Sequence, residues 1–178
     1  MPTVMDKVNL YFSADGTPLE ENIYPEAASQ VFKKGDFVYL VTGAVTVGAA
    51  IGANAGAIKM LGIALKDATG TTGSPIPVVV GTENLRFVLP IAGAAGATQN
   101  ASNGDMGTAY EIHRTDYGKW CIDHSSTTNN MIIAVEQHPQ YGGVMAGGYP
   151  WSGVGSTEAY GWYVCKPFLA NWAMTLTS

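Results

Sequence analysis

Charge is what this chain has least of. Lysine and arginine together number 9 and aspartate and glutamate 14, so that 13% of the 178 residues are charged, against about 25% in an ordinary soluble domain. With a net charge of −5 and a single adjacent basic pair, Lys33-Lys34, the chain lacks the clustered cations that a phosphate backbone demands. Long hydrophobic runs are missing as well. No stretch reaches the ~18 apolar residues of a membrane-crossing helix. The opening MPTVMDKVNLYF carries no basic segment leading into an apolar one, so no secretory signal is expected. Cysteine occurs only at Cys121 and Cys165, which reads as two buried, unbridged thiols. A disulfide would require the two strands that carry them to be neighbours. None of GxxxxGK[ST], GxGxxG or GxSxG occurs, which removes the phosphate loop, the dinucleotide fingerprint and the hydrolase elbow.

Short apolar runs punctuated by turn residues take the place of these features. In the run 36–47, Phe37, Tyr39 and Val41 alternate with Val38 and Leu40, so both faces are apolar. Such a strand is covered on both sides, as in a barrel or at a subunit interface. A Gly/Ala segment leads to a second strand, Met60 to Leu65, and then to a Thr/Gly loop over 67–74. Pro75 and Pro77 flank Ile76 ahead of Val78-Val79-Val80, which places this strand at a sheet edge because proline cannot donate to a ladder. Leu85, Phe87 and Leu89 alternate with Arg86 and Val88, and 92–107 reads as an exposed loop. TAYEIHR and KWCIDH flank Thr115-Asp116-Tyr117-Gly118 as a hairpin, with Tyr110, Ile112, Trp120 and Ile122 pointing inward. Met131 to Val135 and the alternating 160–165 supply two further strands. No amphipathic helix of ten residues is present, and EAASQVF at 26–32 offers one helical turn at most.

Candidate chemistry is thin. Cys121, Asp123 and His138 could be drawn into a metal site, yet zinc asks for three or four convergent ligands in tight pairs. On a strand, Cys121 and Asp123 share a face that His124 does not. Glu111 and Glu136 are the only pair to weigh for carboxylate catalysis, which needs two acids facing each other across a cleft. Tyr149, Trp151, Tyr160, Trp162 and Trp172 crowd a glycine-rich end of the chain. Aromatics among glycines can anchor a protein interface, fill a core or stack on a sugar. The residues read as interface anchors are Tyr11, Phe12, Tyr149, Trp151 and Trp172, and no cofactor or metal is expected.

The stretch Lys34 to Pro90 carries a resemblance. Gly35-Asp36 opens an apolar strand, Gly62-Ile63-Ala64-Leu65 runs into Asp67-Ala68, a valine strand follows, and Phe87 to Pro90 ends in Leu-Pro. This order resembles the small β-barrel decoration (cement) proteins on the capsids of tailed bacteriophages. The hairpin around Tyr110-Glu111-Ile112 and Trp120-Cys121-Ile122-Asp123 resembles the later part of the same family. The resemblance implies a non-enzymatic virion protein on the outer capsid surface, made in the host cytoplasm. Its partners would be the major capsid protein and itself, as a homo-oligomer with a trimer favoured over a dimer. Neither nucleic acid nor a membrane would be bound. The alternative from another class is a carbohydrate-binding or receptor-binding domain of a phage fibre. The expected fold is all-β: a small β-barrel or β-tulip-like domain with residues 1–30 as an extended N-terminal arm. The core would span 31–137, and 138–178 would form a Gly/aromatic elaboration with a closing strand.

Overall fold

Alternation at period two yields strands wherever the sequence shows it. The computed structural model describes residues 11–47, 59–92, 105–114, 120–123, 130–137 and 162–172. The strands are β1 (Tyr11–Ser13), β2 (Glu21–Pro25), β3 (Phe37–Val41), β4 (Ala44–Val47), β5 (Lys59–Ala64), β6 (Pro75–Val80), β7 (Leu85–Ala92), β8 (Ala109–Arg114), β9 (Trp120–Asp123), β10 (Ile132–Gln137) and β11 (Trp162–Pro167), followed by a 3-10 turn, Leu169–Asn171. Among the described residues there is no α-helix. The fold is all-β.

The strands divide into two sheets. The smaller has five in the order β2-β6-β5-β3-β4, and the larger has six in the order β1-β7-β11-β10-β8-β9. Among the described strands the pairings are antiparallel, except that β9 runs parallel to the far end of β7 through Ile91–Ile122 and Ala92–Asp123. The larger sheet therefore rolls over, joined there through these residue pairs. The smaller sheet curls too, and an isolated bridge from Glu26 to Val45 ties the end of β2 towards β4.

The expectation of one closed barrel is corrected to two sheets, and the apolar pattern supplies the reason. A single barrel has one interior, whereas β3 and β5 send apolar side chains to two separate cores. Phe37, Tyr39, Met60 and Ile63 join the larger sheet's Phe87, Ile112, Ile122 and Tyr163 in a core shared between the sheets. Val38, Leu61 and Ala64 point the other way and meet Phe32, Val45, Ile76 and Val78 in a second core belonging to the smaller sheet. A bulge where β3 meets β5, between Val38 and Tyr39, shifts the register by one residue and keeps both faces supplied. The two apolar faces of β3 are thus covered within one chain, without a neighbouring subunit.

Three local expectations also change. The described part of the N-terminal arm, residues 11–30, is built into the domain: β1 is the edge of the larger sheet on β7, and β2 an edge of the smaller on β6. The run 36–47 is a hairpin rather than one strand, because Thr42 and Gly43 both adopt positive φ, 48° and 83°, the requirement of a tight primed turn. No helical turn forms at 26–32. The sequence there spends its hydrogen bonds on long-range ties, with Glu26 N donating to Ser74 O and Ala27 N to Val45 O.

Candidate functional site

The residues that carry the family resemblance assemble into one unit. Gly35 takes φ of 88°, a conformation suited to glycine, and its amide donates to Ala64 O at 2.7 Å while Ala64 N returns a bond to Asp36 O at 2.9 Å. Asp36 is buried and accepts from Lys33 N at 2.9 Å and from the Trp120 indole at 3.2 Å. It therefore pins the entry of β3 to β9 of the other sheet. Asp67 accepts from Lys34 N at 2.7 Å and forms an exposed ion pair with Lys33. Ala68 N donates to Phe32 O. These bonds tie the junction's loops and strands to one another.

Two further buried acids went unnoticed in the sequence. Glu26 is buried and accepts from Thr69 N, Thr69 Oγ1 and Gly70 N at 2.9, 2.7 and 2.7 Å, fastening the loop after β5. Burial opposes its charge, but these donors, with Lys66 nearby, hold its carboxyl below the ordinary glutamate range. Asp105 closes the segment read as an exposed loop, yet it is 7% exposed and accepts from Tyr110 Oη at 2.9 Å and Tyr163 Oη at 2.6 Å. Desolvation, and next the Asp105 carboxylate, push the Tyr110 hydroxyl up to about 12. The signal available in the sequence was scarcity: in so weakly charged a chain, acids beside Thr/Gly loops or tyrosine-bearing strands are candidates for buried acceptors.

The candidate catalytic groups are not brought together. Glu111 lies on β8 beside Tyr110, which pairs with Ile132, so position 131, just before β10, stands opposite it. Glu136 sits five residues further along, roughly 17 Å at strand rise, too far for two carboxyls to act on one bond. Glu111 instead faces Asp123 across the hairpin, beneath the buried Tyr39 hydroxyl, whose acidity is suppressed by desolvation and by Glu111. Cys121 and Cys165 are buried and not disulfide-bonded, and β7 lies between their strands in the larger sheet. Burial, reinforced by Asp123, raises the Cys121 thiol to about 12, so it is held as the unreactive thiol. Among the described residues no group of three or more His, Cys, Asp or Glu could hold a metal ion, and no helix is long and apolar enough to cross a membrane. His124 and His138 lie outside the described residues.

The expected interface anchors separate into three cases. Tyr11 is half-buried and packs on the shared core, while Phe12, facing the other way on the edge strand, is 40% exposed. Trp172 is corrected from interface to core: it is buried, and its indole packs near-parallel to Phe87 and edge-on to Phe37. Tyr149 and Trp151 lie outside the described residues. Exposed apolar side chains also occur at Ile23, Val31, Val41, Met106 and Val135. Met106 and Val135 are brought side by side by the bond from Gly107 N to Ala134 O. Comparison with family models, curated proteins and solved structures finds no match to this chain.

Proposed function

We propose that this protein is a structural component of a phage virion, binding the outer surface of an icosahedral capsid at junctions between major capsid subunits and stabilising the closed shell. The observation that carries the reading is the junction of Gly35-Asp36 with Gly62 to Ala68. The residues that resemble the decoration proteins bond to one another and organise strand entry, as expected of a motif retained for architecture. A ligand that binds the closed lattice and not its dissociated pieces stabilises the lattice by RT ln(1 + [L]/Kd) per site. Several copies bridging several capsid subunits multiply that effect without chemistry. Self-association as a trimer belongs to this proposal. It draws on the sparse surface charge and the exposed apolar side chains, since the two-faced strand β3 is covered within the chain.

The test is particle stability with and without the protein. Particles lacking it should assemble, then release DNA at lower temperature or on osmotic shock. Unchanged stability together with lost host attachment would replace this reading with the receptor-binding one. Phe12 is the described anchor that remains exposed. Phe12→Ala should leave melting of the free protein nearly unchanged and weaken capsid binding about thirtyfold per site, as truncation of an interface anchor worth about 2 kcal/mol does.

A further inference from the structure

After β11 the chain crosses from the larger sheet to the smaller. Phe168 N donates to Met131 O, the 3-10 turn Leu169–Asn171 has no side-chain cap, and Trp172 reaches Met60 of β5 through an isolated bridge. The backbone ties of this strap run to both sheets. Its side-chain contact is large. The indole Nε1 donates to Met131 O at 2.5 Å, one ring face lies 6.1 Å from the Phe87 centroid, and Phe37 meets the ring edge-on at 6.3 Å. The floor of this seat is Gly81, where a Cβ would stand 1.7 Å from the indole ring. Gly81 itself is fixed by its amide bond to Leu61 O. The side chain thus touches β3 of the smaller sheet, β7 of the larger and the approach to β10, while its backbone bridges to β5, in a socket that fits an indole only while position 81 has no side chain.

We propose that the strap 168–172 is a clasp: the Trp172 indole, seated between the sheets, holds the larger sheet onto the smaller, and withdrawing it loosens the larger sheet while residues 21–80 stay folded around their own core. The smaller sheet has the means to persist. Its second core comes from Phe32 to Val78, and the Glu26 and Asp67 ties also lie within residues 26–70. The larger sheet faces the shared core with Phe87, Ile112 and Tyr163, and β11 stands near the middle of its strand order, directly before the strap. Structures open in cooperative units that differ in stability, and an engineered apolar cavity stays dry and accepts a small aromatic molecule.

The test uses the full chain carrying Trp172→Gly, with indole as the probe. The substitution should lower Tm by roughly 10 °C and speed amide exchange in β7, β10 and β11 at least about tenfold, with β3, β5 and β6 unchanged. Millimolar indole should restore both Tm and exchange. Gly81→Ala in the otherwise native chain should give the same selective loosening, and Gly81→Ala with Trp172→Gly should not respond to indole. Equal loss of protection in both sheets, a variant that fails to fold, or no response of Trp172→Gly to indole would each overturn the proposal.

Discussion

The smaller sheet takes all its strands from residues 21–80 and encloses a core of its own, whereas the larger sheet pairs β1 at residue 11 with β7 and inserts β11, residues 162–167, between β7 and β10. The first is assembled from hairpins and short connections. The second requires the two ends of the chain to meet its middle, so loop-closure entropy must be met before its pairings contribute. The polar ties follow the same division. Glu26 and Asp67 fasten loops within the smaller sheet, and Asp105 joins two strands of the larger one through its tyrosines. Asp36 and Trp172 reach across between them, as does Phe37 against Phe87 in the shared core. One domain therefore holds a locally closed half and a half closed from a distance.

The largest effects should come from the two cores, and they should differ in reach. Phe87→Ala removes a ring that meets Phe37 edge-on at 5.1 Å in the shared core, so it should cost about 3–5 kcal/mol and lower protection in the larger sheet first. Phe32→Ala should cost a similar amount but act first on the smaller sheet and its entry loop, because Phe32 packs only in the second core. Residue-resolved amide exchange distinguishes these outcomes, and identical patterns would break the comparison.

Glu26→Ala should come next, at about 3 kcal/mol, since it strands donors that now serve a buried carboxylate. Its pH dependence has a definite sign. A carboxyl lowered in the folded state contributes stability above its unfolded pKa of about 4.3 and loses it as pH falls through the folded value. Glu26→Gln should therefore flatten the acid limb of a stability–pH curve, and an unchanged limb would show that other acids control it. Tyr163→Phe should cost about 1.5 kcal/mol by removing one of the two hydroxyls on Asp105, with the loss confined to the larger sheet in chemical-denaturation and exchange measurements. The smallest effect is a gain. Thr42 is exposed with φ of 48°, strained for a β-branched residue, so Thr42→Asn should stabilise the β3–β4 hairpin by about 1 kcal/mol.

The same contrast decides how much was legible in the sequence. Strands β3, β5, β6, β7 and the β8–β9 pair could be read from apolar runs or alternation, although β6 lies between β2 and β5 and not at a sheet edge, and Tyr110, Ile112, Trp120 and Ile122 face the core as their spacing predicts. The two apolar faces of β3 were legible, but not that the chain itself covers both. That outcome depends on Phe32 returning over the sheet and on the bulge between Val38 and Tyr39, neither of which leaves a periodic trace. Strands β1 and β2 were missed because edge strands of three and five residues are too short to show a period. Trp172 looked like a surface anchor because it follows a glycine- and aromatic-rich stretch. What seats it in the core is Gly81, distant in sequence and identifiable only once the two are in contact.

The division into a locally closed and a distantly closed half is tested most directly by labelling Cys165 in the unmodified chain. This thiol is fully buried at the centre of the larger sheet, so a thiol reagent reaches it only when that sheet opens. Its labelling should be followed across sub-denaturing urea together with amide exchange in β3 and β5. Cys165 is expected to label at urea concentrations where the amides of β3 and β5 remain protected; exposure of the thiol and those amides in a single step would contradict the account.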